Sequence, residues 1–261
     1  MARVVAVGAL LVCLLGACVA TPAPKQTDLT VFAAASLRSA LEPAQHRYEA
    51  SHPGIELTIS TDSSAALEAK IEQGAPADVF LSADTADPQR LVDADVTAGG
   101  VVPFARNRLT VIVPTGNPAG IRSAADLGRT GVRVIAAAGA VPITRYANEV
   151  VANLGRQPGY PADFAARYAA NVASREDNVG AVVAKVGLGE GDAGIVYVTD
   201  AKTSTQVTTI PLPDAANATA TYGGVVITTS GHRAEATAFL SWLVGPEGRS
   251  LLASFGFLAP S

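Results

Sequence analysis

The chain has 261 residues, enough for one large domain or two small ones, and 49% of them are hydrophobic against 16% charged, a balance that excludes a disordered chain or a coiled coil. Lys and Arg number 19 against 23 Asp and Glu, for a formal net charge of −4. No basic run interrupts that acidity, so nothing is laid out for a nucleic-acid backbone, and bulk positive charge draws in no anion.

The first residues read as a targeting segment. Arg3 is a short basic start and Val4 to Leu15 an apolar stretch, too short for a bilayer, which takes roughly 20 apolar residues. It ends in Leu15-Gly16-Ala17-Cys18, which resembles the lipobox of bacterial lipoproteins. That resemblance implies a signal peptide over residues 1–17, a lipid anchor on Cys18 and a place outside the cytoplasm at the cell membrane. Cleavage would leave Cys18 as the only cysteine, so the folded body has no Cys-ligated metal and no catalytic thiol. Residues 18–28, with Thr21-Pro22-Ala23-Pro24, read as an extended tether.

From Leu29, short β-branched runs alternate with helical periods, the pattern of an α/β protein with largely parallel sheets. Leu29 to Phe32 predicts a strand. Apolar residues at 37, 40, 41, 44 and 48 predict a helix, and Ile55 to Ser60 a second strand. Ala65 to Gln73 predicts a helix stopped by Gly74. Asp78 to Leu81 predicts a third strand, with a short helix around Leu91-Val92. A second unit begins with a strand at Arg108 to Val113, followed by a strand at Arg133 to Ala136. Pro142 to Leu154 predicts a helix, with proline in its first turn and Gly155 just past its end. Val179 to Val186 predicts another helix and Gly194 to Val198 a buried strand. A strand at Tyr222 to Thr229 and a helix at Ala234 to Leu243 complete the pattern. Two lobes follow, residues 29–105 with 205–261 and residues 106–204.

The chemistry sits at four helix starts, marked by Ser36, by Ser63-Ser64, by Val141-Pro142-Ile143 and by Asn178-Val179. A helix N-terminus exposes unpaired N–H groups and partial positive charge, which suits an anion. Taken singly, each is also an ordinary cap or first-turn proline, and a tyrosine such as Tyr197 at the end of an apolar strand is more often a half-buried core residue than a ligand. Enzyme chemistry finds less. His46, His52 and His232 are scattered, no phosphate loop or Gly-x-Ser-x-Gly elbow is present, and no base can be assigned to Ser36 as a nucleophile. Asp78 reads as a cap for neighbouring backbone.

The segments Thr30-Val31-Phe32-Ala33-Ala34-Ala35-Ser36-Leu37 and Gly74-Ala75-Pro76-Ala77-Asp78-Val79-Phe80-Leu81-Ser82-Ala83-Asp84 resemble the molybdate-binding proteins of ABC-type molybdate importers. So do Glu176-Asp177-Asn178-Val179, Ala193-Gly194-Ile195-Val196-Tyr197 and Phe255-Gly256-Phe257, in order along the chain. The resemblance implies a two-lobed periplasmic-binding fold of type II, with two crossover segments and no cofactor. It implies a monomer that binds molybdate or tungstate without catalysis and hands it to a membrane permease. It also implies the donors: hydroxyls of Ser36 and Ser64, backbone amides of Ile143 and Val179, and the phenol of Tyr197. Molybdenum would be held only as its oxyanion. Ser63 competes with Ser64, and Asp62 sits badly beside an anion. Outward, Asp62 would cap the second helix; inward, it would accept a proton and favour phosphate. A sulfate or phosphate receptor is the rival of the same fold, and a cell-envelope enzyme using Ser36 the rival of another class.

Overall fold

The structure is a computed structural model and describes residues 26–260. The signal peptide, Cys18 and most of the tether lie outside the described residues. In chain order the first elements are β1 (Thr27–Ala34), α1 (Arg38–Ser51), β2 (Ile55–Asp62), α2 (Ser64–Glu72), β3 (Val79–Ser82), α3 (Ala86–Asp93) and β4 (Val102–Pro114). There follow β5 (Val134–Ala137), α4 (Pro142–Leu154), α5 (Phe164–Ala170), β6 (Val172–Glu176), α6 (Val179–Gly187) and β7 (Ala193–Tyr197). The chain ends with α7 (Val198–Lys202), β8 (Val207–Ile210), β9 (Thr219–Val226), α8 (Arg233–Val244) and α9 (Pro246–Ser254).

β1 pairs in parallel with β2 and β3, β9 runs antiparallel beside β3, and the first half of β4 closes this sheet against β9. In the second sheet β5 pairs in parallel with β6 and β7, and the second half of β4 lies antiparallel between β7 and β8. β4 therefore runs through both sheets: Val102–Arg108 pair with β9, and Leu109–Pro114 with β7 and β8. Where it changes sheet, the Asn217 side chain stands in for a strand partner. Its Oδ1 accepts from the Leu109 N–H (3.1 Å) and its Nδ2 donates to the Leu109 carbonyl (2.9 Å).

The expected boundary at 105/106 falls just ahead of this change of sheet. The one at 204/205 needs correction, because β8 hydrogen-bonds to Val111–Pro114 and so belongs to the second sheet. The chain returns between Ile210 and Thr219. The two α/β lobes and two crossovers are otherwise as expected.

Apolar packing fixes where the helices point. All four residues of β3 are buried, and Phe80 joins Leu67 and Ile71 of α2 and Leu91 of α3 beneath the first sheet. Each such side chain removed from water contributes about 1.5–3 kcal/mol. In the second lobe α6 lies close on β7 over Gly194, where a Cβ would stand 2.9 Å from Val182 Cγ1 and 3.0 Å from the Ile135 carbonyl. Glycine there lets the helix seat with its N-terminus at the cleft. Asp78 behaves as read: Oδ2 accepts from the Thr30 N–H (2.7 Å) and Oδ1 from the Ser230 hydroxyl (2.5 Å), tying β1 to the segment after β9.

Candidate functional site: a donor-lined cavity between the lobes

The four helix starts meet. A small cavity is lined from the first lobe by Ala34–Ser36, Ser63, Ser64 and Ala83, and from the second by Val141–Ile143, Asn178, Val179 and Tyr197. Ser36, Ser63, Ser64, Ile143, Val179 and Tyr197 are thus brought together, and Asp62 is left outside. No Asp, Glu, Lys or Arg lines the cavity. A larger recess, about 250 Å³ between α4 and α5, shares only Ile143 with it.

Local structure leaves donors free at each start. β1 runs into a single 3-10 turn, Ala35–Leu37, whose N-cap Ala34 offers no side-chain acceptor. At α2 the cap is Ser63, whose Oγ accepts from the Ala66 N–H at 3.2 Å. Ser64 Oγ accepts from the Ala83 N–H at 3.0 Å, so its own proton is free. At α4 the N-cap is Val141, with no side-chain cap, and Pro142 has no N–H. The Ile143 amide thereby becomes the first donor of that helix. At α6 Asn178 Oδ1 caps the Ala181 N–H (3.0 Å) and does not engage that of Val179.

Tyr197 is 1% exposed. Its hydroxyl is one of three buried side-chain polar atoms without a hydrogen-bond partner among the described residues, and the only one of them on the cavity lining. Burial pushes its ionisation well above the usual phenol range, so it faces the cavity as a neutral donor. Its ring meets those of Tyr146 and Tyr222 edge-on, with centroids 6.4 and 5.7 Å away.

Asp62 neither enters the cavity nor caps α2. Its Oδ1 accepts from the Ser63 N–H (2.8 Å) and its Oδ2 pairs with Lys70 at 3.2 Å, half in solvent, because Ser63 already occupies the cap. A partly exposed pair of this kind is worth about 0–1 kcal/mol. Asp62→Asn is therefore expected to change oxyanion affinity by no more than about threefold and to leave phosphate a poor ligand. Titration of both proteins with each anion checks this, and strong phosphate binding lost in Asp62→Asn would contradict it.

Sequence reasoning missed what surrounds the donors. Arg145, two residues past Ile143 on α4, reaches across the cleft to Asp84, next to Ala83, with Nη2 to Oδ2 3.1 Å. The same guanidinium lies 4.8 Å over the Tyr146 ring. Asp84 also accepts from Ser82 Oγ and the Asp87 N–H. Burial first, then the Asp84 charge, pushes the Asp87 carboxyl up to about 7, with Arg90 opposing. Tyr222 and Asn107, on neighbouring strands, stand behind Ser36. Asp84 lies inside a motif of the resemblance, but nothing in that motif signals a partner in the other lobe. Among the described residues no group of His, Cys, Asp or Glu is arranged to hold a metal ion, and no helix is long and apolar enough to cross a membrane.

Two α/β lobes joined by two crossovers, with a donor-lined cavity in the cleft, define a solute-binding protein of the type II periplasmic-binding fold. The chain belongs to the bacterial extracellular solute-binding protein family, whose pattern matches residues 29–258. It is similar to the molybdate-binding protein ModA of Mycobacterium tuberculosis, 34% identical over 242 residues, covering 92% of this chain and 88% of that one. The Azotobacter vinelandii periplasmic molybdate-binding protein shares the fold, with a TM-score of 0.76 at 22% identity over 89% of this chain and 100% of that one. The sulfate-binding protein SubI of Mycobacterium tuberculosis superposes with a TM-score of 0.78 at 25% identity, over 89% of this chain and 86% of that one.

Proposed function

We propose that the protein captures molybdate or tungstate in this cavity and, as a monomer, delivers it to the membrane permease of an ABC importer, with no catalytic step and no cofactor. The observation that carries the reading is the convergence of hydroxyls and helix N-termini on one small cavity without a charged side chain in its lining. In this reading the donors are Ser36, Ser64 and Tyr197 through their hydroxyls and Ile143 and Val179 through their amides, with Ser63 as the α2 cap. A dianion leaving water must regain strong hydrogen bonds, and neutral donors fixed in a closed site supply them. Helix N-termini add partial positive charge, so a net acidic protein binds an anion. Molybdate, tungstate and sulfate are fully ionised tetrahedra at neutral pH, so size decides among them. ModA relatives at 34% identity favour molybdate, and sulfate is the second reading because SubI aligns at 25%.

Saturating molybdate should raise stability by RT ln(1 + [L]/Kd), about 4 kcal/mol at about 1,000 times Kd. Melting curves with molybdate, tungstate, sulfate and phosphate read this out, and sulfate matching molybdate would move the assignment to sulfate. The same reading holds the protein outside the cytoplasm by a lipid on Cys18. The intact protein should partition into detergent, and Cys18→Ala should move it to the aqueous phase or leave an unprocessed precursor. Aqueous partitioning of the unmutated protein would contradict the anchor.

A further inference from the structure

Behind Ser36, a chain of buried hydrogen bonds leads out of the cavity. Ser36 Oγ lies 2.9 Å from the Tyr222 hydroxyl, which lies 3.3 Å from Asn107 Nδ2, and that nitrogen lies 2.8 Å from Thr199 Oγ1. All four side chains are buried, Tyr222 and Asn107 completely. They come from four places in the fold: the 3-10 turn after β1, β9, β4 just before it changes sheet, and α7. Neither Tyr222 nor Asn107 lines the cavity.

The direction of each bond follows from its neighbour. Asn107 Oδ1 accepts from the Arg108 N–H at 3.0 Å, which fixes the oxygen end of the amide. Nδ2 therefore donates both its protons, one to Thr199 and one to Tyr222. The Tyr222 oxygen receives that proton, and its own single proton has Ser36 Oγ as acceptor. If Ser36 donated to Tyr222 instead, a buried phenol proton would have no acceptor, which folded proteins avoid. Ser36 thus receives from behind, and its own proton is left to point into the cavity.

We propose that Tyr222 and Asn107 are positioning residues that hold the Ser36 hydroxyl as a donor toward the ligand, and so bias the cavity toward oxyanions that carry no proton. The proposal rests on the reading of the cavity as an oxyanion site and names the ligand class: a fully ionised tetrahedral oxyanion, favoured over hydrogen phosphate or hydrogen arsenate. A proton-bearing anion needs an acceptor, and the relay denies it the Ser36 lone pair.

Asn107→Asp tests the polarity. It keeps the shape and the acceptor for the Arg108 N–H but turns the Tyr222 side of the group into an acceptor. Tyr222 then donates to the new carboxylate, Ser36 donates to Tyr222, and Ser36 turns a lone pair to the ligand. The added charge repels molybdate and hydrogen phosphate, both dianions near pH 8, so the readout is the ratio of their affinities, with phosphate followed by displacement. That ratio should fall by about tenfold or more, the equivalent of one hydrogen bond reversed. Tyr222→Phe adds no charge and frees Ser36 to rotate. It should bind molybdate about threefold to tenfold more weakly, with phosphate unchanged or tighter. Melting of the ligand-free variants shows whether each folds, and Tyr222→Phe carries the test if Asn107→Asp does not. Molybdate affinity within about threefold of wild type for Asn107→Asp, or an equal loss of both anions in both variants, would overturn the proposal. Should the wild type prefer sulfate to molybdate, the function assignment changes, and the same ratios are read with sulfate.

Discussion

Replacing Tyr197 by Phe is expected to weaken oxyanion binding by about 1–3 kcal/mol, roughly fivefold to 150-fold, while the ligand-free protein melts no lower than before. The two halves of this expectation have one cause. The Tyr197 hydroxyl is buried and has no partner among the described residues, so it holds nothing together there. The aromatic ring, packed edge-on against Tyr146 and Tyr222, is retained in Phe and keeps its contacts. On the proposed reading the substitution removes one donor aimed at a buried dianion, and donors to charged groups are the stronger class. Titration calorimetry paired with thermal melting of both proteins checks it. A drop in ligand-free stability with unchanged affinity would make Tyr197 a core residue and remove it from the donor set.

Cutting the ion pair across the cleft should act on the rate of release. Arg145 and Asp84 sit on opposite lobes, with 51% and 4% of their side chains exposed. Truncating one partner of a buried charge pair costs roughly 2–5 kcal/mol, mainly in the dissociation rate. Because Arg145 is half in solvent, the low end applies, about 2 kcal/mol or about thirtyfold. Arg145→Gln leaves Asp84 uncompensated beside Asp87 and next to the bound dianion, so opening the cleft relieves the repulsion. Stopped-flow displacement should show molybdate leaving about thirtyfold faster, with the order of anion preference unchanged. Adding Asp84→Asn removes the stranded charge and should recover much of the loss, a coupling that a double-mutant cycle isolates. Release rates unchanged in Arg145→Gln would mean that the pair does not hold the lobes closed.

Helices with strong end signals were readable in advance. α4 was bounded at both ends by Pro142 and Gly155, and α6 at its start by Asn178, the residues whose conformations begin and end helices. β6 and β8 were not legible, because each is a short strand at the edge of the second sheet with alternating or sparse apolar residues. α5 and α7 are also short, and their stability comes from packing rather than from local pattern. β4 was expected to start at Arg108 but starts at Val102, since Pro103 and a register shift before Ala105 blur its first half.

The candidate site divides in the same way. The serines and helix starts are local features and stood out as such. That they converge on one cavity depends on the fold, as do the free hydroxyl of Tyr197 and the contact between Ser36 and Tyr222, 186 positions apart. The outward turn of Asp62 was equally invisible, because it is decided by Ser63 taking the cap and by Lys70 two turns along α2.

The interlobe cavity is expected to take one fully ionised tetrahedral oxyanion, with molybdate preferred. Isothermal titration of the mature protein with molybdate, sulfate and phosphate in turn reads this out. The expected result is one molybdate per chain, sulfate weaker by about a hundredfold or more, a gap of about 2.7 kcal/mol, and phosphate weaker still. Phosphate binding as tightly as molybdate would contradict it, because a lining whose hydroxyls and amides all donate has nothing to accept the phosphate proton.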